Sequence, residues 1–512
     1  MSFSLLFLSV IAVAQESYTI NGKIADKSNG ETLFGVSVFL KGTVIGVVTN
    51  EYGFYSLTAP KGNYTLTISY LGYTEINTEI ILDKNQKFDF EINEFTTQLN
   101  EVVVSAEETE RVLLRKPEMS VSKLNVKTVK QMPVVLGEVD IIKSLQMLPG
   151  VTNNGEGSSG FHVRGGAADQ NLVLLDEAII YNTSHLLGFF SVFNADAIKD
   201  IKLYKGGIPA RFGGRTSSVL DVRQKDGNSK NFAMTGGIGI ISSRLALEGP
   251  MFKEKGSFLI AGRGSYAHLF LKAAGEDNGA NFYDLNLKTN YNLNEKNQLF
   301  LSGYFGRDDF EIGESFTSSY GNLSGNLRWN HIFNDRLFSN LSLIYSKYDY
   351  DLGIAVEEFD WVSSINNYNI KYDLKYYASD KFKLDFGASG IYYDFDPGQI
   401  RPTSETSSIN PLSLDRNKAF ESALYINAEH KLNDKLTVQY GLRYSLFNRM
   451  GGQAMSDYAD DKPVVYNSLL DIYERGTQIG ETNYGKSETI KKFGNLEPRA
   501  SLAYQLNDFS SV

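Results

Sequence analysis

The chain has 512 residues, with 50 Lys and Arg against 60 Asp and Glu, and its net charge of −10 argues against a nucleic-acid-binding protein. It contains no cysteine, which excludes disulfides, thiolate metal sites and thiol nucleophiles. Aromatic residues are frequent at 12%, and beyond the first fifteen residues no apolar run approaches the roughly 18–20 needed for a transmembrane helix. Any membrane crossing would therefore have to use β-strands.

The amino terminus has the features of a secretory signal peptide. Residues 3–11 are mostly apolar, and Ala12-Val13-Ala14 supplies the small side chains of a signal-peptidase site. We therefore predict a signal peptide over residues 1–14, even though no Lys or Arg precedes the apolar run. A buried first strand is the alternative interpretation.

Residues 15–95 predict a small β-sandwich, because short strands with alternating apolar side chains are separated by Gly, Pro and Asn. The phrases NGKIADKSNGETLFGVSVFLKGT, TNEYGFYSL and PKGNYTLTISYLGY resemble the carboxypeptidase regulatory-like domain. The resemblance implies a seven-stranded sandwich that carries no protease chemistry, and the sequence has no H-E-x-x-H pattern. Residues 96–115 then predict a linker around one short apolar strand.

Residues 116–228 mix helix and strand signals and predict an α+β domain. Apolar residues recur at helical spacing over residues 140–148, and Pro149-Gly150 ends the predicted helix. Short apolar strands separated by glycine pairs follow. The loop 155–160 matches G-x-G-x-x-G, but a strand rather than a helix follows it. That context disfavours a dinucleotide site and favours a flexible loop.

Residues 229–512 predict part of a transmembrane β-barrel. About twelve segments of ten or more residues alternate apolar and polar side chains and are predicted strands, among them 257–271, 297–312, 359–378 and 435–450. A soluble sandwich is the alternative, although its strands are usually about 5–6 residues long. Tight links such as Asn334-Asp335 follow the even-numbered strands, and long links such as 451–491 follow odd-numbered ones. This asymmetry is typical of periplasmic turns and extracellular loops.

Two stretches, FHVRGGAADQNLVLLDEAIIYN and IKLYKGGIPARFGGRTSSVLDV, resemble the plug domain of TonB-dependent outer-membrane receptors. With the sandwich in front, the arrangement is similar to that of Bacteroidota receptors. The resemblance implies a mainly β protein with a sandwich, an α+β plug and an antiparallel barrel of twenty-two strands. It also implies an outer-membrane location with the sandwich in the periplasm, a specific extracellular ligand, and import energised by TonB and its inner-membrane complex. Neither a cofactor, a metal nor catalysis is expected.

The twelve strands counted here are fewer than the family implies. A plug of about a hundred residues does not fit inside a small barrel whose interior is filled by side chains. Asn507-Asp508 moreover predicts another tight turn just before Val512. We therefore expect about ten further strands beyond this sequence.

Three groups of residues are candidates for function. The first is Glu101-Val102-Val103-Val104-Ser105, which stands where the family has its TonB box. An extended run of this kind can add as a strand to the edge of a partner's sheet. The alternative is a strand of the linker. In the second group, three arginines of the plug would pair with inward-facing barrel carboxylates such as Glu497, with solvated side chains as the alternative. These arginines are Arg164, Arg211 and Arg215. The third either faces the external ligand or packs inside the plug: His185, Phe189, Phe190 and Phe193.

The leading hypothesis is therefore a TonB-dependent transport receptor, with outer-membrane lipid and an extracellular ligand as further partners and a surface lipoprotein as an additional candidate. The alternatives are a non-energised structural or adhesive outer-membrane β-barrel protein and a binding subunit that only signals. The ligand is left open among siderophore, cobalamin, oligosaccharide, peptide and metal chelate, because loop sequences do not encode it readably.

Overall fold

The computed structural model describes residues 16–95, 120–132, 138–153, 155, 160–275, 278–313, 315–507 and 510–512. The predicted signal peptide, the segment 101–105 and most of the loop 155–160 lie outside these residues. The described chain forms a β-sandwich, a middle domain and a long antiparallel sheet that we call the strand wall. Within that part of the chain, no helix is long and apolar enough to cross a membrane.

The sandwich consists of eight strands: β1 (Ser17–Asp26), β2 (Ser37–Leu40), β3 (Gly46–Val48), β4 (Phe54–Pro60), β5 (Gly62–Ser69), β6 (Ile76–Leu82), β7 (Gln86–Lys87) and β8 (Phe90–Ile92). One sheet joins β4, β1, β7 and β8, the other has the order β3-β2-β5-β6, and apolar side chains of both are buried between them. The resemblance implies seven strands; the additional one arises because the segment returning along β1 is divided into β7 and β8.

The middle domain contains β9 (Val121–Asn125), α1 (Val126–Lys130), α2 (Ile141–Gln146), β10 (Val151–Asn153), β11 (Phe161–Val163), β12 (Asn171–Leu175), β13 (Ala178–Ile179), β14 (Ser184–His185), β15 (Phe190–Ser191), β16 (Ile198–Tyr204) and β17 (Ser218–Gln224). A five-stranded sheet has the order β13-β12-β17-β16-β9. Asp140 caps α2 by accepting a hydrogen bond from the backbone N–H of Lys143 at 2.9 Å, and the helix buries Ile141 and Leu145 against this sheet.

The strand wall contains β18 (Ala233–Ile238), β19 (Ser242–Met251), β20 (Gly256–Ser265), α3 (Ala267–Ala273), β21 (Gly279–Asn294), β22 (Asn297–Ile312), β23 (Phe316–Asn334), β24 (Leu337–Ile354), β25 (Phe359–Tyr377), β26 (Phe382–Pro402), β27 (Leu412–Ser413), β28 (Asn417–Lys431), β29 (Leu436–Met450), β30 (Gln453–Tyr458), β31 (Val464–Asn467), β32 (Ile472–Arg475), β33 (Gln478–Tyr484), β34 (Thr489–Asn507) and β35 (Ser510–Ser511). Twelve of these, all except β27, β30–β33 and β35, are the wall strands, and they pair consecutively in antiparallel register. The prediction of part of an antiparallel sheet with about twelve such strands is confirmed.

One predicted strand was wrong in its second half. The sequence prediction extended it over residues 257–271, but β20 ends at Ser265 and α3 follows. Residues 267–273 are rich in the strong helix formers Ala, Leu and Lys, and Gly275, with φ of 80°, follows the helix end. Here helix propensity outweighs the apolar character that suggested a strand.

The wall curves around the middle domain, because both ends of its strand order contact that domain. Ser242 of β19 donates a hydrogen bond to Glu138 at 2.5 Å, and Arg499 of β34 donates to the backbone oxygen of Pro209 at 2.5 Å. Side chains alternate between the two faces, so that on β29 Arg443 is buried while Leu442 and Tyr444 are exposed. The wall therefore has an inner, polar face and an outer, apolar face.

The strand links divide the wall into two ends. Short links such as 295–296 and 335–336 define the turn end, and long links such as 403–416 and 451–488 define the loop end. The sandwich lies at the turn end, where Asn21 donates a hydrogen bond to Asp335 at 2.7 Å. The predicted asymmetry of short and long links is thus present in the structure.

Candidate functional site

An acidic turn of the middle domain enters the inner face of the wall. Asp176 and Glu177 directly follow β12 and both have left-handed backbone angles, with φ of 47° and 74°. This tight turn between β12 and β13 places the Glu177 carboxylate against the wall, while the Asp176 carboxylate also accepts a hydrogen bond from the backbone N–H of Gln224 in β17 at 3.2 Å. Both residues are buried, with 1% and 7% exposure. Two buried carboxylates need opposite charges or hydrogen-bond donors to be stable there.

The wall supplies those partners from four different strands. Glu177 lies 3.3 Å from Arg328 and 3.5 Å from Lys371, and it accepts a hydrogen bond from Ser342 at 2.5 Å. Asp176 lies 3.2 Å from Lys288. We call Asp176, Glu177, Lys288, Arg328 and Lys371 the seat network, because these five charges join the middle domain to the wall.

The electrostatics of the seat network favour ionised carboxylates. Burial by itself would raise the pKa of Glu177, but the nearby positive charges of Arg328 and Lys371 outweigh that effect and hold the pKa well below its ordinary value. The carboxylate is therefore charged at neutral pH. At the seat network, the attraction between the two parts therefore depends on negative charge in the middle domain and positive charge on the wall.

A second contact of the middle domain with the wall is centred on His185. Its Nδ1 lies 2.7 Å from Asp308 and its Nε2 lies 3.2 Å from Asp284, and both aspartates are wall residues. Its ring stacks on Phe282 with 4.4 Å between centroids. Burial would lower the pKa of His185, but the two carboxylates raise it above the ordinary value. The two carboxylates thus stabilise the protonated form of the imidazole.

The four residues predicted to form an aromatic loop differ in how deeply the structure buries them. His185, Phe190 and Phe193 are buried, and Phe190 packs with Phe282 of the wall. Phe189 is 53% exposed. Phe193 belongs to the core of the middle domain, whereas His185 and Phe190 contact Phe282 of the wall, a position that neither interpretation of this segment had indicated. A contact of this loop with a ligand stays a prediction.

The predicted arginines have partners other than wall carboxylates. Arg164 donates to the hydroxyl of Ser120 at 2.6 Å, and Arg215 donates to the backbone oxygen of Gly214 at 2.8 Å. Arg211 forms an ion pair with Glu51 of the sandwich at 3.0 Å. The structure thus brings Arg211 to a junction of domains that the sequence did not indicate.

Glu497, the predicted wall partner, has wall arginines as its nearest charges. Its carboxylate lies 2.7 Å from Arg499 and 3.9 Å from Arg443. Arg443 in turn donates to the backbone oxygen of Arg211 at 3.5 Å. The sequence prediction therefore had the polarity of the main ionic contact reversed, because the seat network places carboxylates on the middle domain and cations on the wall.

The seat network was missed for a physical reason. Its partners are 112 to 194 residues apart in sequence, and their pairing depends on strand register. A usable signal was nevertheless present. Two consecutive acids follow a buried strand, and Lys288, Arg328 and Lys371 lie on the polar faces of predicted barrel strands. Charges on an inward face require opposite charges on whatever fills the interior.

A cavity of about 690 Å³ lies at the loop end between the middle domain and the wall. The middle domain contributes Gly214 and Arg215, and the wall contributes aromatic and charged side chains: Tyr393, Phe395, Phe447, Phe493, Glu421, Arg449 and Glu497. Aromatic faces together with a few charged and amide groups can bind a polar organic molecule that also has apolar surface. Two of the predicted site residues, Arg215 and Glu497, therefore line the same cavity.

Comparison with protein families covers all three parts of the chain. The model described as "CarboxypepD_reg-like domain" matches residues 20–104, and "TonB-dependent Receptor Plug Domain" matches residues 115–219. The model described as "TonB dependent receptor-like, beta-barrel" matches residues 265–512. The chain belongs to the TonB-dependent receptor family. Its middle domain is the plug, and its strand wall is part of the family's barrel.

One curated relative of this TonB-dependent receptor is the "TonB-dependent receptor SusC" of Bacteroides thetaiotaomicron. The two are 27% identical over 243 residues, which cover 44% of this chain and 22% of SusC. This relative agrees with the predicted Bacteroidota type of receptor.

Solved structures support the same fold. The copper transporter OprC has a TM-score of 0.53 at 11% identity, covering 76% of this chain and 61% of that one. The alcaligin outer-membrane receptor FauA of Bordetella pertussis has a TM-score of 0.53 at 14% identity, covering 77% and 61%. The ferric citrate transporter FecA has a TM-score of 0.52 at 12% identity, covering 78% and 62%. The chain thus spans less than two thirds of the length of each of these three structures.

Proposed function

We propose that this chain is part of an outer-membrane transporter that binds an extracellular ligand at the loop end and imports it with energy from TonB. The observation that carries the proposal is the plug, which lies against the inner face of the wall directly below the loop-end cavity. A passive structural or adhesive barrel needs no domain of this kind. The family's receptors and transporters, to which the chain is similar, agree with this proposal.

The loop-end cavity is the proposed ligand site. Arg215 and Gly214 of the plug form part of its lining, so a ligand bound there would contact the element that has to move. Phe447 and Phe493 offer apolar surface, and Glu421 and Arg449 offer charges of both signs. We infer a ligand that is a polar organic molecule with apolar faces. The location of the sandwich at the turn end supports a periplasmic position for this domain.

The seat network suggests how the plug can be firmly held and still move. Its contacts are charged and polar, so both partners can be solvated again by water when the plug shifts. The free energy of separating a buried ion pair into water is modest, because solvation recovers much of what the pair loses. A purely apolar contact of the same size would instead expose hydrophobic surface. A pull on the plug could thus release it reversibly.

The segment 101–105 is the proposed point of attachment for TonB. It lies in sequence between β8 of the sandwich and β9 of the plug. Its three consecutive valines favour an extended conformation, and backbone groups of an extended segment can pair with the edge of a partner's sheet. This would let a pull from the inner membrane act on the plug.

The experiment that tests this proposal uses the purified periplasmic domain of TonB and the purified receptor. Val103→Pro removes a backbone donor and blocks strand addition, so binding of the TonB domain should fall at least about tenfold. Val103→Ile is the matched control, since it keeps the donor and the β-branched side chain. Equal TonB binding by wild type and Val103→Pro would contradict the proposed attachment point.

A further inference from the structure

The sandwich inserts a loop between the plug and the wall. Residues 50–53, in the link between β3 and β4, reach the inner face at the turn end. The ring of Tyr52 stacks on Phe338 with 5.4 Å between centroids and lies 6.3 Å from Phe300, and both phenylalanines belong to the wall. Tyr52 is 8% exposed. A buried aromatic anchor of this kind contributes strongly to an interface.

Tyr52 also contacts the seat network. The guanidinium of Arg328 lies 5.4 Å from the centre of the Tyr52 ring, and the same side chain pairs with Glu177 of the plug. On the plug side, the guanidinium of Arg223 lies 5.5 Å from the ring. The cation–π contacts therefore join one residue of the sandwich to both the wall and the plug.

Ion pairs join all three parts at the same junction. Glu51 of the sandwich lies 3.0 Å from Arg211 of the plug and 3.8 Å from Lys375 of the wall. Burial would raise the pKa of Glu51, but the positive charges of Lys375 and Arg211 hold it well below the ordinary value. An ionised Glu51 thus compensates a plug cation and a wall cation at once. Removing its charge would leave both without this partner.

A separate chain of charges repeats this arrangement. Glu31 of the sandwich lies 3.5 Å from Lys199 of the plug, and Lys199 lies 3.5 Å from Asp226. Asp226 lies 3.1 Å from Lys288, which belongs to the seat network. Alternating charges therefore run without interruption from the sandwich to the acidic turn of the plug.

The order of the domains along the chain indicates how tension from TonB would act on this contact. The proposed TonB attachment segment follows β8 and precedes β9, so tension on it acts on the sandwich and on the plug together. We propose that the sandwich is a latch that holds the plug in its seat and has to leave the junction before the plug can move. This inference rests on the proposed transport function, but it assigns the sandwich a role that transport alone does not require.

The test measures how easily the plug leaves its seat, with KCl conductance of the receptor in planar bilayers as the readout and urea as the perturbant. The experiment uses the receptor in the full form that its cells produce. Glu51→Gln and Tyr52→Ala should each lower the urea concentration at which the channel opens, by about 1 M. The matched control is Glu79→Gln, because Glu79 is exposed on β6 and contacts Thr65 of the same sandwich.

A reversible cross-link gives the opposite perturbation. A Cβ added at Gly30 would lie 3.4 Å from Cβ of Ser229, close to the about 3.5–4.5 Å of a disulfide. Gly30 has a φ of 74°, so Cys at this position is strained, and this strain is present in the oxidised and the reduced protein alike. Because these 512 residues contain no cysteine, the thiols of the double variant Gly30→Cys/Ser229→Cys are the only two in this part of the receptor. The oxidised protein should open at a higher urea concentration than the same protein after reduction.

Two outcomes decide the proposal. Easier opening in Glu51→Gln and Tyr52→Ala, together with harder opening in the oxidised double variant, would support the latch. Identical opening in the oxidised and reduced protein, with no shift in the two single variants, would overturn it. The measurement needs neither a ligand nor TonB, so a failure of the latch is distinguishable from a failure of the proposed transport function.

Discussion

Replacing Glu177 by Gln should loosen the plug more than any other single change in the seat network. The variant keeps the size of the side chain but leaves the buried Arg328 and the half-buried Lys371 without this negative charge. At an effective dielectric constant of about 20, each pair at these distances is worth about 5 kcal/mol of Coulomb energy. Much of that gain is offset by the desolvation of the carboxylate. Removing one partner of a buried pair typically costs about 3–5 kcal/mol.

This loss of free energy predicts a measurable increase in the fraction of molecules whose plug is released. About 3–5 kcal/mol corresponds to an increase of roughly 100-fold or more in the fraction of molecules with a released plug. Amide hydrogen exchange, followed by mass spectrometry, reports the free energy of such an opening. Peptides from β12 and β17 should therefore lose protection in Glu177→Gln, whereas peptides from the wall should not. Asp169→Asn is the matched control, because Asp169 is an exposed acid of the plug.

The pH dependence of plug stability tests the same prediction independently. The pKa of Glu177 is depressed in the folded protein. Its contribution to stability is therefore present above the ordinary glutamate pKa of about 4.3 and is lost as pH falls through the folded value. Plug protection in the wild type should decline in acid, and Glu177→Gln should show a smaller decline. Unchanged protection of β12 in Glu177→Gln at neutral pH would refute the reasoning.

Two further predictions concern the wall and the histidine contact. Leu442→Arg, on the outer face of β29, should cost about 2–4 kcal/mol of folding free energy if residue 442 lies near the bilayer midplane. Gln439→Arg, on the inner face, should be tolerated. Urea titrations of folding into vesicles measure both costs, and equal costs would contradict the assignment of faces. His185→Gln should remove a stabilisation of the plug that is complete below pH about 6.5 and fades as pH rises through the raised pKa of His185, since Asp284 and Asp308 hold the cation. Hydrogen exchange of β14 across pH 6 to 9 checks this, and identical pH profiles for variant and wild type would count against it.

The strands of the wall were predictable because two local signals agree along them. Alternation of apolar and polar residues gave each strand its faces, and turns such as Asn334-Asp335 gave its ends. The predicted segments 297–312 and 359–378 accordingly match β22 (Asn297–Ile312) and β25 (Phe359–Tyr377) closely. The exception, α3, lies in a link between strands, where a short apolar segment can form a helix as well as a strand.

The contacts of the plug were not predictable in the same way. Alternation showed that Arg328 and Lys371 are on the polar face of their strands, but it could not tell which plug residue meets them. That pairing depends on how the acidic turn after β12 is positioned within the curved wall. The junction around Tyr52 depends in addition on docking between separate domains. Its sequence phrase, TNEYGFYSL, was informative about the sandwich fold but not about its partner.

The most direct test of the central claim is ligand import with and without TonB. Cells that produce the receptor would be given labelled compounds from each open class: a ferric siderophore, cobalamin, an oligosaccharide, a peptide and a metal chelate. Uptake of one compound should require the receptor and should fall to background when TonB is removed, while binding of that compound to the cell surface persists. Receptor-dependent uptake that continues at the same rate without TonB would contradict the energised mechanism and favour a passive outer-membrane protein.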